Sequence, residues 1–258
     1  MVNFTLERNH VSNTTISLVV LAFVFGGVLL GKFLRSILPQ QHLSDASKDV
    51  VRVGIGLVVT TTALVLSLLI ASAKAHYDTQ GAELTEMCAK IVLLDRVLAH
   101  YGPETKEARD LLRADVVLAL DQMWSKNRSS LERSSPANEV LYDRIQELSP
   151  RTDAQRSLQT QALNIALAIG QTRWLMYEQS AAAVSKPLLV VLVFWLTIIF
   201  ISFGLYAPNN LTVVVSLFLS ALAVSGAVLL ILEMYSPFAG LIHISSAPLR
   251  AALAHLGQ

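Results

Sequence analysis

The sequence contains one cysteine, Cys88, which excludes an internal disulfide and a cysteine-built metal cluster. Charge is also scarce. Charged residues make up 15% of the chain, against about 25% in an ordinary soluble domain. Neither sign dominates: 20 Lys/Arg face 19 Asp/Glu, so no basic field exists to hold nucleic acid. Twelve glycines and eight prolines in 258 residues are too few for a disordered or fibrous chain. What the chain has in plenty is apolar surface, with 53% hydrophobic residues and a mean hydropathy of +0.52. The few charges are segregated. Residues 74–186 hold 14 of the Lys/Arg and 15 of the Asp/Glu, leaving 6 and 4 for the other 145 positions.

Four charge-free stretches follow from that segregation. Residues 11–31 and 53–73 are two of them. Residues 187–232 form a third run, too long for one span, which Ala207, Pro208, Asn209 and Asn210 divide into 187–206 and 211–232. A hydrocarbon core about 30 Å thick needs about 20 helical residues, so each stretch has the length of one membrane helix. A barrel is excluded because the runs show no apolar/polar alternation. The first stretch reads as a retained helix rather than a signal peptide. Glu7 stands beside Arg8 ahead of it, and no A-x-A-like site follows it.

The charged block reads as a helical bundle. Leu84, Met87, Ile91, Leu94, Leu98 and Tyr101 make one apolar stripe at three/four spacing, ended by Gly102 and Pro103. A second helix over 104–126 places Leu112, Val116, Ala119 and Met123 on one face. Residues 126–136 are polar and Ser-rich, a loop. A short helix is expected over 138–148, and Thr152 or Asp153 can cap the next. Leu158, Ala162, Ile165, Ile169, Thr172 and Met176 give that last helix a heptad-like seam. The expected fold is all-α: a polytopic membrane protein with four transmembrane helices and a soluble helical-bundle insert between the second and third. Its segments are 1–75, a membrane helix pair; 76–186, the insert; and 187–258, a second pair with a short tail.

No catalytic constellation is present, so the reading is of a non-enzyme without cofactor or metal. Residues 26–33 approach a phosphate-binding loop but lack the Ser/Thr after Lys32 and lie in a membrane helix. Gly27 and Gly31 instead form a G-x-x-x-G close-packing pattern. The six histidines are scattered without metal spacing, and Cys88 has the setting of a packed thiol. Two features stand out as transport elements. At 100° per residue, Gly56, Thr60, Ser67, Ala71, Lys74 and Asp78 fall near one line of the second membrane helix. This stripe is either a pore lining with a cationic mouth or a helix–helix contact. A comparable small stripe, Ser216, Ser220, Ala223 and Ala227, occurs on the fourth. The second feature is Glu233, an acid at the membrane boundary and the only charge between Lys186 and Arg250. It is either a functional group or an interfacial carboxylate reaching water.

Four pieces of the chain carry a resemblance: residues 93–104 (LLDRVLAHYGPE), 171–175 (QTRWL), 194–197 (FWLT) with 202–209 (SFGLYAPN), and 232–242 (LEMYSPFAGLI). Together they resemble the bacterial bestrophin-like membrane proteins, which have four membrane helices and a helical insert. The family often carries an acid two residues after the position of Glu233, where this chain has Tyr235. The resemblance implies kinship with oligomeric anion channels whose pore is lined by the second membrane helix. It implies a homo-oligomer in the bacterial inner membrane, embedded in the lipid bilayer and passing small anions. The rival expectation is a non-conducting scaffold or stress sensor whose insert binds another protein. Lys32, Arg35, Lys48 and Arg52 in the first loop favour a cytoplasmic loop and a periplasmic insert. The bestrophin resemblance implies a cytoplasmic insert.

Overall fold

The computed structural model describes residues 13–39, 45–124, 136–181, 186–208 and 210–257. Among these there is no strand; eight α-helices and one 3-10 turn carry the fold. In chain order they are α1 (Asn13–Ile37), α2 (Asp45–Tyr101), the 3-10 turn Pro103–Thr105, α3 (Lys106–Trp124), α4 (Pro136–Gln146), α5 (Asp153–Ala181), α6 (Lys186–Tyr206), α7 (Leu211–Met234) and α8 (Ala247–His255). Helices α1, α2, α6 and α7 are long and apolar enough to cross a membrane. Residues 53–73 are the charge-free crossing stretch of α2. The expected loop at 126–136, with Ser130, lies outside the described residues apart from the first residue of α4.

The expected second membrane helix and the first insert helix are one continuous 57-residue helix. No proline interrupts residues 74–83, and a lone Gly81 is tolerated in a helix at about 1 kcal/mol against Ala. The chain divides into two compact units. Unit 1 comprises Met1–Ala75 and Ala183–Tyr235; unit 2 comprises His76–Ala182 and Ser236–Gln258. The residues after α7 therefore separate from the membrane helix pair with which the sequence groups them. Their α8 carries Leu249, Ala252 and Leu256, all buried in the core of unit 2.

In unit 1, α1 is the packing centre. Its Val20, Val24 and Val28 bury against Leu192, Leu196, Ile199 and Phe200 of α6 and Ala221, Val228 and Ile231 of α7. The glycines on α1 set the approach. A Cβ on Gly31 would overlap the Ile201 carbonyl oxygen, and one on Gly204 of α6 would overlap that of Val28. Backbone meets backbone there, as small-residue patterns in lipid predict. Arg35 closes this contact by donating to the Ala207 carbonyl. Asn210 starts α7, its side chain accepting from Val213 N–H at 3.0 Å.

Unit 2 is a bundle built as the periodicity predicts. Leu84, Met87, Ile91, Leu94, Leu98 and Tyr101 are all buried, as are Leu112, Val116 and Ala119 of α3 and Ala162, Ile169 and Met176 of α5. The α2–α3 reversal rests on Gly102, whose φ of 137° only glycine adopts at little cost. Thr105 hydroxyl then donates to the Leu98 carbonyl at 2.6 Å. Thr152 caps α5 by accepting from Gln155 N–H at 3.2 Å, while Gln155 Oε1 accepts from Arg151 N–H.

Candidate pore-lining face

The described part of α2 outside the bundle is the least covered of the four apolar helices. Only 11% of its most apolar stretch is buried, against 33% in α1, 28% in α6 and 22% in α7. Its own chain covers it along one line: Thr62, Leu69 and Ala73 are its buried residues there. Those three repeat at seven and four, one face of a helix. Gly56, Thr60, Ser67, Ala71 and Lys74 are all exposed. At 100° per residue they lie about 120–180° around the helix from the buried line. Leu57, Leu64 and Leu68, each more than 60% exposed, occupy the adjoining sector at about 200–240°. The outward surface of α2 is thus split, small and hydroxylated on one side and bulky and apolar on the other.

The chemistry of the small sector is mild. Thr60 Oγ1 donates to the Gly56 carbonyl at 2.9 Å and Ser67 Oγ to that of Ala63 at 2.8 Å. Both hydroxyls keep their oxygen lone pairs available while their protons bond their own helix. A Cβ on Gly56 would meet nothing within 4 Å. Among the described residues, the stripe at Gly56 borders open space rather than another helix. The stripe on α7 behaves alike: Ser216, Ser220 and Ala223 are exposed and Ala227 is half-buried.

Glu233 is not gathered with the α2 stripe. It ends α7 at 3% exposure, and Asn13 Nδ2 donates to its Oε1 at 3.2 Å and to the Leu232 carbonyl at 3.3 Å. One turn along α1, Ser17 and Ser225 exchange hydroxyl-to-carbonyl bonds at 2.9 and 2.7 Å. A polar seam thus joins α1 to α7, and Glu233 is one end of it rather than a carboxylate reaching water. Asn13, Ser17 and Ser225 escaped the sequence reading. Their only signal was the i, i+4 spacing of Asn13 and Ser17 at the start of an apolar helix.

The residues that carry the family resemblance in the insert build the bundle. Asp95, 1% exposed, accepts both nitrogens of Arg109 at 2.7 and 2.9 Å and the Gly257 N–H at 3.2 Å. Burial pushes its carboxyl up, but the hydrogen bonds from Arg109 and Gly257 and the charges of Arg109 and Arg96 outweigh that and leave it below the usual range. Arg173 of the 171–175 piece holds Asp115 the same way, at 3.2 and 2.9 Å. Cys88 is buried, and burial pushes its thiol up to about 11, the reverse of a nucleophile's environment. Among the described residues no group of three or more His, Cys, Asp or Glu is placed to hold a metal ion.

The fold has a relative among solved structures. A mutant of a bacterial bestrophin homologue from Klebsiella pneumoniae matches with a TM-score of 0.57 at 14% identity, covering 93% of this chain and 97% of that one. No curated protein matches the sequence. Residues 20–249 match the Bestrophin-like domain, which accounts for most of the chain and for every piece of the resemblance. This all-helical membrane protein belongs to the Bestrophin-like family.

Proposed function

We propose that the protein is a homo-oligomeric anion channel of the bacterial inner membrane, with α2 lining the conduction path. The observation that carries this is the division of α2. Thr62, Leu69 and Ala73 attach it to its own unit, while Gly56, Thr60, Ser67, Ala71 and Lys74 face away from that attachment. In an assembly of several copies, the leucine sector meets lipid or a neighbour and the hydroxyl sector faces the axis. Lys74 from each copy then forms a cationic ring at one mouth, which concentrates anions. Unit 2 serves as a vestibule or regulatory bundle. Glu233 is an anchoring carboxylate that ties α7 to α1.

Purified protein in liposomes under a salt gradient tests the reading. Wild type passes chloride, and Lys74→Glu moves the reversal potential towards cation preference because it reverses every charge of the ring. Lys186→Glu, at the start of α6, shifts it less. Conduction with selectivity unchanged by Lys74→Glu removes α2 as the lining. No flux at any potential leaves the non-conducting scaffold or sensor.

A further inference from the structure

The hydroxyls along the crossing stretch of α2 serve their own helix. Thr60, Thr61, Thr62 and Ser67 each donate to a carbonyl four residues back. Ser72, at the end of that stretch, reaches another helix instead: its hydroxyl and that of Tyr235 share a hydrogen bond at 3.2 Å. Tyr235 follows the last residue of α7 and belongs to the same unit. It is a firm post. Its N–H donates to the Ile231 carbonyl at 3.2 Å, and its ring packs against the core of unit 1. Helix α7 is in turn tied to α1 by the Asn13–Glu233 and Ser17–Ser225 bonds.

The position of this bond around α2 matters. At 100° per residue, Ser72 lies about 80° to one side of the buried line of Thr62, Leu69 and Ala73, and Lys74 about 120° to the other. The buried line by itself is a weak guide to rotation. Leu69 and Ala73 make apolar contacts, which have no direction, and Thr62 spends its hydroxyl on Val58 of its own helix. A hydrogen bond has a direction and a narrow range of length. With Cα atoms about 2.3 Å from the axis and the Ser72 hydroxyl about 4 Å from it, a turn of about 45° carries that oxygen roughly 3 Å and breaks the bond. The same turn carries the longer Lys74 side chain farther.

We propose that Tyr235 is a positioning residue for Lys74: by holding Ser72 it fixes the rotation of α2 and keeps Lys74 turned away from its own unit. The consequence for conduction rests on the reading of α2 as the pore lining; the hold on the rotation of α2 stands apart from it. Hydrogen bonds between membrane helices weight one arrangement over another about 3-fold, and up to about 20-fold. Every copy in an assembly carries the same bond, so removing it scatters the whole ring of Lys74 ammonium groups.

Two measurements on the full chain test this. In the first, nitroxides are placed on α1 and α2 through Phe23→Cys, an exposed position, and Lys74→Cys, with Cys88→Ala removing the native thiol. Labelled chains are diluted into unlabelled protein, and the distance within one chain is read by double electron–electron resonance. Tyr235→Phe keeps the ring and removes only the hydroxyl; it should broaden the distance distribution. Ser72→Ala should broaden it equally, the double variant no further, and Ser72→Thr, which restores a hydroxyl, should keep it narrow. In the second, liposomes carry protein with Lys74 in place, and Tyr235→Phe should bring the reversal potential under a salt gradient closer to zero. A distribution as narrow in Tyr235→Phe as in the parent would overturn the proposal. So would an anion preference that Lys74→Glu alters and Tyr235→Phe does not. No flux in wild type together with a broadened distribution removes the channel reading and supports Tyr235 as the residue that holds α2.

Discussion

The helix α2 belongs to both units and is treated oppositely in them. Over 84–101 its apolar stripe is buried by its own chain, with Leu84 and Leu94 at 0% exposure. Over 53–73 its residues are as apolar, yet Val53, Leu57, Leu64 and Leu68 are all more than 60% exposed. The difference lies in the solvent each stretch is built for. In water, apolar area left uncovered costs about 25 cal/mol per Å², so the bundle closes over its stripe. Lipid removes that penalty, and helices there associate through close backbone approach and polar bonds. Unit 1 accordingly spends its tight contacts on Gly27, Gly31 and Gly204 and on the Asn13–Glu233 and Ser17–Ser225 seam. Unit 2 spends its own on a packed core and two buried ion pairs.

That contrast can be broken most severely at the glycines. Gly31→Ala or Gly204→Ala forces α1 and α6 apart, because the new methyl meets carbonyl oxygen rather than a movable side chain. Overpacking costs about 1–3 kcal/mol and occasionally more, and a clash with backbone that cannot swing aside falls at the upper end. Detergent-solubilised Gly31→Ala should aggregate or unfold at markedly lower temperature, while Gly26→Ala, whose Cβ meets nothing within 4 Å, should not. Equal stability of the two would remove the close approach.

In unit 2 the comparable break is electrostatic. Arg109→Leu leaves Asp95 buried without its ion-pair partner, held only by the Gly257 N–H and the charge of Arg96, a loss of about 3–5 kcal/mol. Denaturant unfolding followed by near-UV absorption of Trp124 and Trp174 measures it. The sign with pH follows from the direction of the shift. Asp95 is held below its ordinary value, so its contribution is full above about pH 4 and fades as pH falls through the folded value. Acid should therefore weaken wild type over a range in which Arg109→Leu is already weak.

Core packing sharpens the same comparison at lower amplitude. Leu94→Ala should cost about 2–5 kcal/mol. Glu107→Ala removes an exposed pair with Arg144 at 2.8 Å and should cost about 0.2–1 kcal/mol. Protease digestion ranks them, and equal resistance would contradict the bundle core. The smallest effect falls on the crossing stretch of α2. Gly56→Ala has open space and should stabilise the helix by about 0.5–1 kcal/mol. Loss of assembly in Gly56→Ala, seen as a smaller particle by light scattering, would mean that a neighbouring copy packs closely on that glycine.

The sequence by itself determined the four apolar helices and the bundle stripes. Length and periodicity respond to local chemistry, so residues 187–206 and 211–232 fall within α6 and α7 almost to the residue. The heptad-like seam on α5 and the Gly102–Pro103 reversal were equally legible. Tertiary structure alone decided the partners. The pairing of Arg109 with Asp95 and of Arg173 with Asp115 has no sequence signal, because a charge's burial depends on what other helices bring to it. The fusion of two expected helices into α2 left no mark beyond the lack of a breaker. The tail's place with unit 2 rests on Leu249, Ala252 and Leu256, apolar residues that read as ordinary until the core they fill is known. Glu233 was visible as a charge in an apolar run, but its burial and its bond from Asn13, 220 positions away, were not. Which face of α2 its own chain covers was also unreadable. Periodicity groups Gly56, Thr60, Ser67, Ala71 and Lys74 on one line, and only the packing of Thr62, Leu69 and Ala73 turns that line outward.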